Sequence, residues 1–96
     1  MIERYDEMLR KEFKVKNKVG LHARPAAVFV QTANKFKSNI FVEKDGKSVS
    51  AKSILGVLSL GAEKGVKISV EIEGSDEEKA MNAISELIAN KFGDEE

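Results

Sequence analysis

Residues 13–36 have the sequence FKVKNKVGLHARPAAVFVQTANKF, in which the spacing of the apolar residues changes once. In the first part apolar residues alternate with lysines, which is the period of a strand buried on one face. In the second part they recur every three or four positions, and Pro25 lies where a first helical turn tolerates proline. The stretch predicts a strand from Phe13 to Val19 and a helix that starts just after His22. The apolar stripe of this helix is Ala26, Phe29, Val30, Ala33 and Phe36.

A β-hairpin and a further strand are predicted after this helix. Residues 40–44 and 47–51 flank Asp45-Gly46, a pair suited to the positive φ angles of a tight turn. Residues 66–72 again alternate between apolar and polar side chains, which predicts another half-buried strand.

Two more helices are predicted from their capping residues. Ser53 is placed to cap a short apolar helix over residues 54–60, and Gly61 follows where a left-handed residue ends such a helix. Ser75 and Glu78 form a capping box ahead of a last helix. Its inner face is predicted to carry Ala80, Ala83, Ile84, Leu87 and Ile88.

The resulting order, βαββαβα, predicts an α+β fold with the helices layered on one face of an antiparallel sheet. Residues 1–12 stand apart, because their apolar residues recur at helical spacing among i,i+4 charge pairs such as Asp6/Arg10. We therefore expect a short helical extension over residues 1–12 and one domain over residues 13–96.

The composition excludes several classes of function. The 96 residues include 16 Lys and Arg, 16 Asp and Glu, one His and no Cys. Balanced charge argues against nucleic-acid binding, and one His without Cys predicts no metal site and no thiol chemistry. No apolar run reaches the length of a membrane span, so we expect no membrane insertion and a cytoplasmic location. No cofactor-binding motif is present, and we expect no cofactor.

The single histidine, His22, is predicted at a junction between strand and helix. The first-turn amides of a helix have no partner inside it and attract anions, and Arg24 adds a cation two residues on. A neutral imidazole there is suited to accept a phosphoryl group. From the residues alone, a second interpretation stays open, in which His22 is a loop or capping residue.

Two separated motifs resemble one protein family. Gly20-Leu21-His22-Ala23-Arg24-Pro25-Ala26 is similar to the active-site signature of HPr, the histidine phosphocarrier of the phosphoenolpyruvate-dependent sugar phosphotransferase system. The stretch KSILGVLSLG at residues 52–61 resembles the second motif of that family. The resemblance covers about residues 13–92. It implies an open-faced β-sandwich, in which a four-stranded antiparallel sheet carries three helices on one face.

The resemblance also implies the roles of individual residues. Enzyme I would phosphorylate His22 on Nδ1, IIA domains of sugar permeases would receive the group, and Arg24 would steady the phosphoryl oxygens. Ser53 corresponds to the serine that HPr kinase/phosphorylase modifies in some relatives, where the product acts on a catabolite-repression regulator. Its role as a helix cap is sufficient to explain a serine there, so both interpretations remain. The partner-binding surface is expected to include Ala23, Lys52, Ile54, Leu55 and Leu58.

Competing functions are judged by the same residues. A purely regulatory HPr-like catabolite-repression paralogue is the main alternative. It would carry another residue at the position of His22, and His22 is present. An enzyme is disfavoured, because one His, no Cys and no phosphate-binding loop leave too few groups for a catalytic cycle.

Two features depart from the family pattern: the extra residues 1–12, and Val19 where many relatives have a small polar residue.

Overall fold

The computed structural model describes residues 2–5 and 7–93. Asp6, one member of a predicted charge pair, and residues 94–96 at the end of the predicted domain lie outside the described residues. The strands are β1 (Glu3–Tyr5), β2 (Met8–Lys14), β3 (Asn39–Lys44), β4 (Lys47–Ser50) and β5 (Lys67–Glu73). The helices are α1 (Ala23–Ala33), α2 (Ile54–Ser59) and α3 (Glu77–Ala89), followed by a 3₁₀ turn at Lys91–Gly93.

The strands form one antiparallel sheet in the order β1-β2-β5-β3-β4. The core lies between the sheet and the helices, because inward side chains of β2, β3 and β5 are buried together with those of α1, α2 and α3. Phe29 of α1 and Ile84 of α3 are both fully buried in this layer. The α+β fold and the open-faced sandwich are therefore confirmed.

The predicted helix over residues 1–12 is wrong. Residues 3–5 and 8–14 form the antiparallel strands β1 and β2, so the sheet has five strands within the described part of the chain. Pairing with β5 over Leu9↔Ile72 to Lys14↔Lys67 gives β2 a long partner, and this pairing overrides the local helical spacing. Lys11 obscured the alternation, since it occupies an inward position where its Nζ donates a hydrogen bond to Ser85 Oγ at 3.3 Å.

The first predicted strand also ends earlier than expected. β2 stops at Lys14, although Val15 still exchanges backbone hydrogen bonds with Gly65 and Val66. The chain then turns, because the N–H of Gly20 donates to the carbonyl of Asn17 at 2.9 Å. Val19 is 70% exposed and no longer follows the buried register.

The predicted capping box at the start of α3 is wrong by one residue. Asp76 is the N-cap, but its carboxylate accepts from the N–H groups of Lys37 and Ser38 and from Ser38 Oγ. These hydrogen bonds lower the pKa of Asp76 to about 2, and the bond from Ser38 Oγ has the largest effect. Glu77 Oε1 accepts from the N–H of Gly74. The carboxylate of Asp76 thus holds the loop after α1 against α3 instead of capping its own helix.

Candidate functional site

His22 is the N-cap residue of α1. Its backbone is extended, with φ −81° and ψ −171°, and its carbonyl accepts the N–H of Ala26 at 3.0 Å. The imidazole is half-buried and makes no capping hydrogen bond to the helix. The N–H groups of Ala23 and Arg24 have no acceptor within α1, as at any helix N-terminus, and Pro25 has no N–H. A half-buried imidazole therefore lies at a helix N-terminus, a position that favours an anion.

The loop that carries His22 is hydrogen-bonded to the segment after α2. The N–H of Leu21 donates to the carbonyl of Ala62 at 2.8 Å. Gly20 has a φ of +74°, and a Cβ at this position would lie 2.3 Å from the oxygen of Ala62. Only glycine fits this close approach, so Gly20 allows the loop before His22 to lie directly against the backbone of Ala62.

Arg24 lies in the first turn of α1, and its side chain is exposed. It borders a groove between α1 and the turn after α3, lined also by Val28, Gln31, Phe92 and Gly93. A guanidinium two residues after the N-cap is suited to contact an anion bound at the helix end.

The second predicted site residue, Ser53, is the N-cap of α2. Its Oγ accepts the N–H of Gly56 at 3.1 Å, which confirms its predicted role as a cap. Gly61, with a φ of +58°, follows the helix as predicted. Lys44 Nζ donates to the carbonyls of Leu60 and Gly61, and Lys47 Nζ to that of Ser59. A six-residue helix is thereby held at both ends, because the lysines meet its C-terminal carbonyls.

Four of the predicted partner-binding residues lie on two contacting helices, α1 and α2, and the fifth, Lys52, lies in the turn before α2. Leu55 is 77% exposed, while Ile54 and Leu58 are 38% and 36% exposed. We call these three side chains the α2 apolar patch. Ala23 is also exposed. Exposed apolar side chains on one short helix are typical of a surface that binds another protein.

Lys52, also predicted to belong to the partner-binding surface, is half-buried. Its Nζ donates a hydrogen bond to the carbonyl of Phe36 at 2.7 Å. The structure therefore ties this ammonium group to the loop after α1.

Asn17, which is not among the site residues predicted from the sequence, is fully buried in the loop before His22. Its signal was visible, since it occupies the inward register of Phe13 and Val15 and is polar. Among the described residues, no group of three or more His, Asp or Glu side chains is placed to hold a metal. None of the described helices is long and apolar enough to cross a membrane.

Comparison with known proteins places these features in one family. A family model described as "PTS HPr component phosphorylation site" matches residues 9–90. The chain is 54% identical over 81 residues to the HPr-like protein Crh of Halalkalibacterium halodurans, covering 84% of this chain and 96% of that protein. It is 50% identical over 88 residues to the phosphocarrier protein HPr of Xylella fastidiosa, covering 92% and 99%.

A solved structure agrees with the sequence relatives. The crystal structure of HPr-C-His from Thermoanaerobacter tengcongensis superposes with a TM-score of 0.86 at 55% identity, covering 91% of this chain and 98% of that one. With the family model spanning most of the chain, the fold and the sequence give the same result: the chain belongs to the HPr family of phosphocarrier proteins of the sugar phosphotransferase system.

Proposed function

We propose that His22 accepts a phosphoryl group from enzyme I and passes it to IIA domains of sugar permeases. The observation that carries this proposal is the position of His22 as an N-cap whose side chain does not cap its helix. A neutral ring nitrogen, Nδ1 by family resemblance, attacks phosphorus. A new P–N bond forms as the bond to the donor breaks, and the reverse exchange delivers the group to the receiver.

Arg24 and the first-turn amides of α1 are proposed to stabilise the transferred group. The phosphoryl oxygens carry negative charge, and charge-assisted hydrogen bonds from a guanidinium are stronger than those between neutral groups. The helix N-terminus adds about 0.3 to 1 kcal/mol, or about 2 kcal/mol when partly buried. Stabilisation is needed only while the group is present, so neither contribution is required for the fold.

The α2 apolar patch is proposed to dock enzyme I and the IIA domains, together with Ala23 on α1. Leu55 is the most exposed of the three patch residues, so it is the one with most apolar surface to lose to a partner. Because α2 is held at both ends, this surface is presented without a folding step on binding. By family resemblance, the partner's contact surface is acidic and faces Arg24.

Ser53 is proposed as a regulatory phosphorylation site for HPr kinase/phosphorylase. A phosphate there adds about −1.5 to −2 charges directly before Ile54 and Leu55, and its oxygens replace Oγ as acceptors at the start of α2. The helix keeps its cap while the docking surface gains negative charge. The modified form is then suited to a catabolite-repression regulator instead of enzyme I.

In this scheme the protein is a co-substrate in the cytoplasm and not an enzyme, since each phosphoryl group it gains is given away unchanged. A second candidate function is regulation alone, favoured by the 54% identity to Crh and by the exposed cap at Ser53. The two functions differ at His22. Regulation alone requires no phosphoryl transfer through that residue.

The test is incubation with phosphoenolpyruvate and enzyme I, followed by intact mass measurement. The unmodified protein should gain about 80 Da in an acid-labile form, since P–N bonds hydrolyse in acid. It should lose this mass on addition of a IIA domain, which takes up the phosphoryl group. The variant His22→Ala should stay folded and gain nothing. If the unmodified protein gains no mass, or His22→Ala gains the same acid-labile mass, the carrier function is refuted.

A further inference from the structure

Asn17 joins two segments that are distant in the chain. Its side chain is fully buried, and Nδ2 donates a hydrogen bond to the carbonyl of Lys91 at 2.9 Å. Its own carbonyl accepts the N–H of Gly20 at 2.9 Å, which closes the turn before Leu21 and His22. One residue therefore links the His22 loop to the turn after α3.

The turn that receives this hydrogen bond is itself held in an uncommon conformation. Lys91 and Phe92 have φ angles of +53° and +56°, in the left-handed region that non-glycine residues rarely adopt. Phe92 is 2% exposed, and its ring lies 5.7 Å from that of Phe29. Such strain persists only where the surroundings enforce it, and it is concentrated at functional sites. Phe92 and Gly93 also line the groove that Arg24 borders.

The second polar atom of the Asn17 side chain shows that the amide does not simply fill space. Oδ1 is buried, and among the described residues no group donates a hydrogen bond to it. A buried acceptor without a donor destabilises a fold, so an apolar side chain of similar volume would pack there at less cost. The amide is therefore best explained by the hydrogen bond that Nδ2 makes to Lys91.

We propose that Asn17 is a positioning residue for His22. It fixes the His22 loop against the turn after α3, so that the imidazole, the first-turn amides of α1 and Arg24 keep one relative geometry. This inference rests on the proposed phosphoryl transfer. Transfer requires the ring nitrogen in line with phosphorus, and small displacements of a reacting group slow such reactions strongly.

The main test variant is Asn17→Leu, which keeps the side-chain volume and removes both amide atoms. We expect kcat for phosphorylation by enzyme I to fall about tenfold with little change in KM, because the docking surface is untouched. The melting temperature should change little, since removal of the unpaired Oδ1 offsets the loss of the donor to the Lys91 carbonyl. If Asn17→Leu does not fold, Asn17→Ala serves instead.

A spectroscopic readout separates positioning from general stability. In Asn17→Leu, the imidazole C–H resonances of His22 should shift, and the amides of Gly20 and Leu21 should exchange faster with solvent. The matched control is Val42→Ala, a fully buried position in β3. It should lower the melting temperature but leave kcat and the His22 resonances unchanged.

A double variant tests whether the turn after α3 is the partner through which Asn17 acts. Phe92→Leu weakens the ring contact with Phe29 that holds this turn. If both residues act through the same hydrogen bond, Asn17→Leu combined with Phe92→Leu should slow transfer no more than Asn17→Leu alone. Losses of rate that multiply would contradict the proposed link.

The outcomes distinguish this inference from the function it rests on. Suppose that the unmodified protein accepts a phosphoryl group, and that Asn17→Leu has the same kcat and unchanged His22 resonances. This result overturns the positioning role alone. An unmodified protein that accepts no phosphoryl group overturns the proposed function and the positioning role together.

Discussion

The N-cap residues of α1 and α2 both have extended backbones but use their side chains differently. At α2, Ser53 Oγ accepts the N–H of Gly56 and so satisfies an amide of its own helix. At α1, the side chain of His22 makes no capping hydrogen bond. We call the N-terminus of α2, whose amide is capped by a side chain, the closed end, and that of α1, whose N-cap side chain makes no such hydrogen bond, the open end.

The difference indicates what a charged group would change at each end. A phosphoryl group on His22 adds contacts at α1 and breaks no helix cap. A phosphate on Ser53 replaces the hydroxyl cap of α2 with phosphate oxygens, so its main effect is to add negative charge to the surface of α2. The comparison predicts phosphoryl transfer at α1 and regulation at α2.

The largest expected effect comes from negative charge at the closed end. Ser53→Asp should slow phosphorylation of His22 by enzyme I about a hundredfold, which corresponds to about 2.7 kcal/mol. Asp is also a good N-cap residue, so the helix should remain and only the charge facing the partner should change. The measurement is the initial rate of phosphoryl uptake at low ionic strength, where screening is weakest.

Ser53→Ala is the control for this prediction. It removes the cap without adding charge, so it should lower the free energy of unfolding by about 1 kcal/mol and leave transfer nearly normal. Equal rates for Ser53→Asp and the unmodified protein would show that the two helix ends are not coupled through a common partner.

A smaller effect is expected from the cation at the open end. Arg24→Ala should slow transfer about tenfold, because a charge-assisted hydrogen bond to the phosphoryl oxygens is lost. Its melting temperature should hardly change, since the side chain is exposed. Arg24→Lys keeps the charge without the planar fork and should give an intermediate rate. A normal rate for Arg24→Ala would remove this residue from the site.

A substitution in the docking surface should change KM for the partner and leave kcat unchanged. Leu55→Ser should raise KM for enzyme I about fivefold, a loss of about 1 kcal/mol of apolar contact, with kcat unchanged. The fold should be unaffected because Leu55 is 77% exposed. A matched change outside the patch, Lys64→Ser, should alter neither constant. A fall in kcat with a constant KM would contradict a pure docking role.

The smallest effect concerns the third helix N-terminus, where the Asp76 carboxylate holds a neighbouring loop. Hydrogen bonds from Ser38 and Lys37 lower its pKa from 3.8 to about 2. A lowered pKa in the folded state stabilises the protein above pH 4, and this stabilisation is lost as pH falls through about 2. Between pH 4 and 2 the melting temperature of the unmodified protein should therefore fall more than that of Asp76→Asn. Parallel curves would contradict the assignment.

Most of the fold could be predicted because local signals and tertiary pairing agree. The pair Asp45-Gly46 has φ angles of +50° and +83°, as expected of the hairpin turn. The start of α1 after His22 and the cap at Ser53 were likewise visible in the residue types. At these positions the backbone requires what the side chains favour.

The errors occurred where a distant segment decided the structure. Pairing with β5 made a strand of residues that have helical spacing, and Lys11 in an inward position concealed the strand period. Hydrogen bonds from the loop after α1 occupied the Asp76 carboxylate and changed the start of α3. The link from Asn17 to Lys91 spans 74 positions, and no local pattern contains it.

The difference between the two helix ends is tested most directly by the backbone amide resonances before and after phosphorylation with phosphoenolpyruvate and enzyme I. If the group is carried on His22 at the open end of α1, the amides of Ala23 and Arg24 should shift strongly and that of Gly56 should stay in place. Unmoved Ala23 and Arg24 amides in the phosphorylated protein, or a shift centred on Gly56, would contradict the account.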